Sequence, residues 1–458
     1  MSASATATED AILGRGASEG RRLVQEWFGT LTRASETGEK AAYVFVMGSL
    51  AELLRTFDLH TVFPEIHSLQ TAVRRVSKDY LSAAEDDGYS PDVCGYVKAD
   101  YALQRRGGEH PMGRIPPPSV AIMTNACSTY IKWGEIWERM YDAPVFALDV
   151  PGSRGPAGGS GPLGRDRRRD LDYVTGQIGE LIELLEKVSG KAFDVDRLRE
   201  VLAVTNRLSR GWRRVLELGR SSPAPFDAMQ EGTVYLGVAN ALRGTPEAAR
   251  YFEDLAEEME LRVARGTGPV GRTDEHRLIF VGVPCYPIFR RFYELFNGWG
   301  GVFVSSTYMW FASGGLGDDF EYDLARPLES LAEGLLLGVQ RATDAMLFHD
   351  RFLLQAIDDY RADGVVYHPV KSCRTVSTGL ADSRRMVLEQ RDVQCLYIES
   401  DMMDERVVSE AQMRNRIDAF FEGLEARRVR GAASVAGAAA AGAHEDVAVA
   451  AAPGTRAE

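Results

Sequence analysis

The chain has 458 residues, of which 45% are hydrophobic and 26% are charged, and its formal net charge at pH 7 is −13. This length suggests two or three domains, the composition is typical of a water-soluble globular protein, and the acidic excess argues against a general nucleic-acid binder, whose binding face would be basic. No stretch approaches the roughly 20 apolar residues that a membrane span needs, and the N-terminus lacks the apolar core of a signal peptide.

Strands and helices alternate in the first third of the chain. After an N-terminal arm at 1–40, apolar runs at 43–48, 119–127 and 143–152 predict buried strands. Segments with the apolar spacing of a helix follow the first two runs. We therefore predict a first α/β domain at 41–155.

The middle of the chain has a different pattern. A Gly/Pro-rich segment at 152–166 predicts a loop, and 171–265 has the apolar spacing of helices almost throughout. We assign 156–270 to a linker and helical section.

A second series of apolar strands follows in the segments HRLIFVGVPCYP, GVFVSST, GVVYHPV and CLYIES. Helical segments separate these strands and end the series, which predicts a second α/β domain at 271–428. The Ala- and Gly-rich residues 429–458 contain little bulk to bury and predict a disordered tail.

Continuous apolar strands that alternate with helices are typical of parallel sheets covered on both faces. The sequence therefore predicts an α/β fold, with two doubly wound parallel-sheet domains and a helical section between them. Ligands of such sheets bind beyond the carboxyl ends of the strands. Chemically active residues that directly follow a strand are therefore the first candidates for a site.

Five cysteines are scattered along the chain, which fits a reducing cytoplasm better than a disulfide framework. Cys127 and Cys373 each follow a predicted strand where a helix should begin, and the helix N-terminus favours a thiolate. Cys94 lies in a turn bounded by Pro and Gly. Cys285 and Cys395 are explained most simply as small buried apolar residues.

The spacing of Cys94, Cys127 and Cys373 leaves two interpretations open: a shared metal site, or three independent buried thiols. No CxxC pair is present, which excludes a zinc ribbon. If the three thiolates meet, they hold a four-iron cluster with one iron left free for water or a substrate oxygen.

Several segments resemble the family of benzoyl-CoA reductase and 2-hydroxyacyl-CoA dehydratase subunits. The resemblance extends from about Tyr43 to Arg427 and is clearest in MTNACSTYIKWGEIWERMYDAPVFALDVPG and ADGVVYHPVKSCRTVSTGL. The segments GSLAELLRTFDLHTVFPEIHSLQ and DVCGYVKADYALQRRGGEHPMGRIPPPS are more similar to the cluster-binding subunit of the ATP-dependent reductases than to the dehydratases.

This resemblance implies that Cys94, Cys127 and Cys373 bind a [4Fe-4S] cluster between the two α/β domains. The implied reaction is reduction of the aromatic ring of benzoyl-CoA, an aromatic acyl-CoA, to a cyclohexadiene-carboxyl-CoA. The implied partners are a homologous second cluster-binding subunit, separate ATP-hydrolysing activator subunits and, upstream of them, a ferredoxin. The sequence contains no GxxxxGK[ST] loop, which agrees with ATP hydrolysis on another chain.

The resemblance also implies catalytic roles for two residues, because a serine and a glutamate of this region contact the substrate in dehydratase members. These residues correspond to Ser49 and Glu65. The alternatives are a helix N-cap for Ser49 and a solvated loop carboxylate for Glu65.

A segment with one histidine and three arginines offers further candidates. His110 is an alternative proton donor, and the cluster of Arg105, Arg106 and Arg114 is a candidate contact for CoA phosphates. A solvated basic loop explains the same residues equally well.

Two rival functions remain. One is a 2-hydroxyacyl-CoA dehydratase subunit, which eliminates water through a ketyl radical. The other is a non-catalytic subunit that relays electrons or stabilises a catalytic paralogue. In each case we expect a cytoplasmic protein that binds neither nucleic acid nor membrane.

Overall fold

A computed structural model describes residues 12–152, 164–271, 274–316, 319–347 and 350–448. The predicted Gly/Pro-rich loop at 152–166 lies largely outside the described residues. No helix among the described residues is both long enough and apolar enough to cross a membrane.

The first part of the chain forms a four-stranded parallel sheet with the strand order β2-β1-β3-β4. Its elements are α1 (Arg15–Thr37), β1 (Ala41–Tyr43), α2 (Ala51–Thr56), β2 (His60–Val62), α3 (Pro64–Val73), α4 (Ser77–Asp86), α5 (Gly95–Arg105), β3 (Val120–Thr124), α6 (Ser128–Tyr141) and β4 (Val145–Leu148). The order is that of flavodoxin-like doubly wound sheets, in which the connections diverge between the first and third strands.

Among the described residues, four helices lie between the two sheets along the chain. They are α7 (Gly164–Ser189), α8 (Val195–Leu218), α9 (Gly232–Ala241) and α10 (Pro246–Arg265). Asp194 and Thr245 cap α8 and α10 by accepting backbone N–H groups of the first turn, which satisfies donors that have no partner within the helix. The helical section predicted at 171–265 is confirmed.

The second sheet repeats the architecture of the first, with the order β6-β5-β7-β8 and parallel pairing throughout. Its elements are β5 (His276–Gly282), a 3₁₀ turn (Tyr286–Ile288), α11 (Phe289–Asn297), β6 (Gly301–Ser306), α12 (Thr307–Phe311), α13 (Pro327–Leu347), α14 (Asp350–Asp359), β7 (Gly364–His368), α15 (Arg374–Ser377), α16 (Leu380–Gln390) and β8 (Gln394–Tyr397). A short 3₁₀ turn, Glu405–Val407, follows β8.

A separate compact unit begins at Glu410 and consists of one helix, α17 (Glu410–Ala448). The apolar face expected from the sequence is buried at Met413, Ile417, Phe420, Phe421 and Leu424. Helix α17 includes 429–448, so this part of the segment predicted as a disordered tail is helical in the structure. Residues 449–458 lie outside the described residues, and the domain boundaries remain predictions.

The predicted fold class, α/β with two parallel sheets, is confirmed. Strands β3, β5, β6 and β7 are buried at every residue, as expected for a sheet covered on both faces. Two details differ from the prediction. Strand β1 ends at Tyr43, and the short strand β2, which pairs with it in register, was not predicted. Only three residues form β2, so its apolar period is too short to detect in the sequence.

Candidate functional site

A cavity of about 910 Å³ lies where the carboxyl ends of the two sheets meet. Residues that follow seven of the eight strands line it: Met47 after β1, Glu65 after β2, Cys127 after β3, Val283 after β5, Tyr308 after β6, Cys373 after β7 and Met402 after β8. Open α/β sheets bind ligands at this edge. The volume is in the range of pockets that enclose a small-molecule ligand.

All three candidate cluster ligands line this cavity. Cys94, Cys127 and Cys373 each occupy the residue before a helix, and none of their side chains caps that helix. Cys127 and Cys373 follow the third strand of their respective sheets, beside the place where the helical connections diverge. The two sheets therefore present a cysteine at equivalent positions.

Contacts between distant parts of the chain bring these cysteines together. The Cys127 Sγ lies 3.4 Å from Thr375 Oγ1, two residues beyond Cys373. The Gly95 N–H donates to Ser372 Oγ at 3.4 Å. A Cβ at Gly95 would lie 2.6 Å from Met403 Cβ, so the backbone beside Cys94 approaches this segment as only glycine allows.

The electrostatics of the site fit a metal cluster better than a reactive thiol. Burial is the main cause that raises the thiol pKa of Cys94 and raises that of Cys373 to about 12, and the charge of the neighbouring cysteines adds to it. Activated nucleophilic thiols instead have positively charged surroundings that lower their pKa. A bound metal supplies the positive charge that the thiolates need.

Within the described residues, no three His, Cys, Asp or Glu side chains converge closely enough to hold a single metal ion. A zinc ion needs all its thiolate sulfurs about 2.3 Å from one point. A four-iron cluster binds its cysteines at separate irons, so their sulfurs lie farther apart. Three cysteines on separate irons need not converge on one point, so this donor set is compatible with a four-iron cluster.

The other two cysteines lie elsewhere, as expected. Cys285 is fully buried, and Cys395 packs against the core of the second sheet. Neither contributes to the lining of the large cavity.

Glu65 is a buried carboxyl on the cavity wall. It lies in the first turn of α3, with an exposed fraction of 6%. Its Oε1 accepts hydrogen bonds from Tyr130 Oη at 2.7 Å and from the Val46 N–H at 3.3 Å, whereas Oε2 has no partner among the described residues. Burial raises the pKa of Glu65 to about 7. A solvated loop carboxylate is therefore excluded, and the group can hold a proton at neutral pH.

Ser49 is separated from this site. The chain turns at Gly48, whose φ is 87°, and Ser49 lines a second, small cavity with Glu52, Arg243 and Tyr322. Its Oγ accepts the Ala51 N–H at 3.4 Å, but the N-cap of α2 is Leu50, so Ser49 does not occupy the N-cap position that the alternative expects. The structure does not bring Ser49 together with Glu65 on one cavity wall, and its catalytic role remains a prediction.

His110 does not line the large cavity. Its Nδ1 accepts the Met112 N–H at 3.1 Å, so Nε2 carries the hydrogen that is donated to the His67 carbonyl at 2.9 Å. Burial lowers the pKa of His110 to about 3. The ring also stacks on Phe28, with 5.2 Å between the centroids, which indicates a structural role.

The three loop arginines do not line the large cavity either. Arg105 and Arg114 are exposed and lie near Asp87 and Glu109, whereas Arg106 stacks over the Tyr80 ring.

Several cavity residues were not predicted from the sequence. The exposed side chains of Arg21 and Arg74 lie on the lining, whereas Arg262 is paired with Glu231 and Glu258. Aromatic rings form much of the wall, namely Tyr96, Tyr130, Trp133, Tyr286, Phe289, Tyr293, Tyr308 and Phe311.

Tyr130 and Tyr308 were detectable in principle, because each follows a strand end by a few residues. The arginines belong to distant helices, and no local pattern distinguishes them.

A buried carboxylate behind the wall holds α6 in place. Asp100 Oδ2 accepts from Trp133 Nε1 at 2.6 Å and Trp137 Nε1 at 2.7 Å, while Oδ1 accepts from Gln104 Nε2 at 2.7 Å and lies 2.8 Å from His67 Nε2. Because α6 begins just after Cys127 and carries Tyr130, this network positions both site residues.

We expect Asp100→Ala to lower the free energy of unfolding by about 3–5 kcal/mol, because it leaves several buried donors without an acceptor. Asp87→Ala, at an exposed carboxylate, is the control and should cost less than about 1 kcal/mol. Chemical denaturation measures both. Equal stability of the two variants would contradict the role assigned to Asp100.

The comparison with known proteins agrees with this geometry. The sequence model of the family "2-hydroxyglutaryl-CoA dehydratase, D-component" matches residues 49–424. The chain belongs to this family.

Its curated relatives fall into two groups by activity. A benzoyl-CoA reductase subunit of Thauera aromatica is 33% identical over 418 residues, which cover 89% of this chain and 94% of the relative. The (R)-phenyllactyl-CoA dehydratase alpha subunit of Clostridium sporogenes is 26% identical, and the match covers 86% of this chain and 92% of the relative. The (R)-2-hydroxyisocaproyl-CoA dehydratase alpha subunit of Clostridioides difficile is 25% identical, with 89% and 95% covered. All three relatives are subunits of enzymes that act on CoA thioesters.

Proposed function

We propose that this chain is the cluster-binding subunit of an ATP-dependent benzoyl-CoA reductase, which reduces the aromatic ring of benzoyl-CoA to a cyclohexadiene-carboxyl-CoA. The main observation in favour is the placement of Cys94, Cys127 and Cys373 on one large cavity at the meeting edge of two sheets. The 33% identity to a benzoyl-CoA reductase subunit supports this branch over the dehydratases at 26% or less.

The three cysteines would hold a [4Fe-4S] cluster. When bound, such a cluster supplies one-electron transfer at low potential and, at an iron without a protein ligand, Lewis acidity. The electrons would come from a separate ATP-hydrolysing activator supplied by a ferredoxin, and a homologous cluster-binding subunit would complete the complex.

The side chains of the cavity suit an aromatic acyl-CoA. The apolar and aromatic wall, including Trp133 and Phe311, packs against a flat ring and excludes water from it. Glu65 lines the same cavity, and its pKa of about 7 allows it to take up and release a proton near neutral pH. Arg21 and Arg74 supply positive charge for the phosphates of CoA.

A dehydratase subunit is the second candidate, because the matching family is described by a dehydratase and most of the relatives are dehydratase subunits. In that case the substrate would be a 2-hydroxyacyl-CoA, and the electron would be returned after each elimination of water. The two reactions differ in electron stoichiometry.

The test is an anaerobic assay of the chain purified with its second subunit and its activator. With benzoyl-CoA, ATP and dithionite, we expect a cyclohexadiene-carboxyl-CoA, two electrons consumed per product and ATP hydrolysed in every turnover. Dehydration of a 2-hydroxyacyl-CoA, with electrons needed only to start the reaction, would contradict the reductase and support the dehydratase.

A further inference from the structure

Two tyrosine hydroxyls lie on the part of the cavity wall that the second sheet provides. Tyr286 begins the 3₁₀ turn after β5, and Tyr308 lies in α12 after β6. The Tyr286 hydroxyl donates a hydrogen bond to the Tyr308 oxygen at 2.7 Å. The backbone of Tyr308 is fixed by the Ser306 side chain, whose Oγ accepts its N–H at 3.0 Å. The hydrogen of the Tyr308 hydroxyl is thus left for an acceptor in the cavity.

A third hydroxyl, that of Tyr96, lies beside this pair. Tyr96 is 8% exposed and lines the same cavity. The electrostatic influence of Tyr286 and Tyr308 on Tyr96 indicates that the three hydroxyls face the same space.

The first sheet contributes a different polar pair to the same cavity. Tyr130 donates its hydrogen to Glu65 Oε1, and Glu65 Oε2 has no described partner. The cavity therefore has two polar groups from separate sheets, Glu65 with Tyr130 and Tyr308 with Tyr286. Each has one polar atom left for a bound molecule.

Reduction of an aromatic ring by two electrons requires two protons. We propose that Tyr308, polarised by the hydrogen bond from Tyr286, delivers one of them and that Glu65 delivers the other. This inference rests on the proposed function, because only a ring reduction, and not an elimination of water, takes up two protons for two electrons.

Electrons and protons balance in this step. A low-potential one-electron donor, the activator, supplies two electrons in succession and is oxidised. A ring carbon forms a C–H bond with the Tyr308 proton as its O–H bond breaks, and a second ring carbon takes the proton of Glu65. Tyr308 regains a proton through Tyr286, and both groups are finally reprotonated from water. Burial raises the pKa of Tyr308 to about 12, so the hydroxyl keeps its proton until a strongly basic reduced ring takes it.

The test compares Tyr308→Phe with the wild-type complex in the benzoyl-CoA assay. We expect kcat to fall about a hundredfold, as for loss of a general acid, and KM to change by less than about threefold. The EPR signal of the reduced complex should remain, since no cysteine is altered. Tyr286→Phe should cause a smaller loss of kcat, because Tyr308 keeps its hydroxyl and loses only the group that polarises it.

Tyr360→Phe is the matched control. Its hydroxyl is buried and donates to the Leu216 carbonyl at 2.9 Å in the core of the second domain, away from the cavity. Turnover by Tyr308→Phe at the rate of Tyr360→Phe would overturn the inference, as would a raised KM with unchanged kcat. If the Tyr308→Phe chain does not assemble into the complex, the Tyr286→Phe variant serves as the test. A wild-type kcat in that variant would overturn the inference. A wild-type complex that reduces no aromatic thioester contradicts the proposed function as well.

Discussion

Replacing Cys94, Cys127 or Cys373 by serine, one at a time, is expected to remove the iron–sulfur cluster and ring reduction with it. In the proposed site each of the three would supply one of three protein ligands, so each variant would keep two. The rate should fall by well over about a hundredfold, because even the loss of a hydrogen bond to a metal ligand costs about 10–100-fold. Iron and sulfide analysis, EPR and the benzoyl-CoA assay measure the effect under anaerobic conditions.

Cys395→Ser is the matched control for these variants. Cys395 lies on β8, packs against the core of the second sheet and does not line the cavity. We expect wild-type iron, sulfide and activity. Full iron content and activity in Cys127→Ser would refute the cluster assignment.

The second large effect is expected for Glu65→Gln, which keeps the size of the side chain and removes its acidity. Gln still offers an oxygen to Tyr130 and to the Val46 N–H. If Glu65 is a proton donor, kcat should fall about 10²–10⁴-fold. The wild-type rate should decline as the pH rises above about 7, where Glu65 loses its proton, and the variant should lack this decline.

Glu65→Gln, which should lower kcat, should also make the folded chain more stable than the wild type as the pH rises. The pKa of Glu65 is raised from 4.5 to about 7, mainly by burial, and Tyr130, Asp100 and the Val46 N–H also act on it. Between those two values the folded chain binds the proton more tightly than the unfolded chain. The free energy of unfolding of the wild type therefore falls as the pH rises through this window, by about 3 kcal/mol in total.

Glu65→Gln lacks this loss, so its stability relative to the wild type should increase between pH 5 and 8. Denaturation curves at several pH values measure the difference. Glu389→Gln, on the exposed face of α16, should follow the wild type in both activity and stability. A Glu65→Gln chain with wild-type kcat at every pH would mean that Glu65 does not donate the proton.

Much of the architecture could be predicted because it depends on local pattern. Apolar runs marked seven of the eight strands, and the order of strands and helices indicated two parallel sheets. The missed strand, β2, is too short for a periodic signal. Because parallel strands all end at one edge of their sheet, residues such as Cys127 and Cys373, directly after strands, could be assigned to that edge.

Composition and spacing also left the three cysteines with two interpretations, and only long-range packing shows that all three line one cavity. The contact between Cys127 and Thr375 joins residues 248 positions apart. The same holds for Ser49 and Glu65, which are close in sequence, yet only Glu65 lines the large cavity. The turn at Gly48 directs Ser49 away from the large cavity. The sequence does not show which cavity a residue after such a turn will line.

The order of strands and helices in the sequence was thus sufficient to predict the two sheets and to place Cys127 and Cys373 at their edges. Only the folded chain decided which buried polar groups keep an atom without a described partner, as Glu65 does at Oε2, and which are satisfied, as His110 is. The physical reason is that burial and hydrogen bonding arise from segments far apart in sequence. The pKa values of Glu65 and His110, which fit one group for proton transfer and the other for packing, follow from that burial.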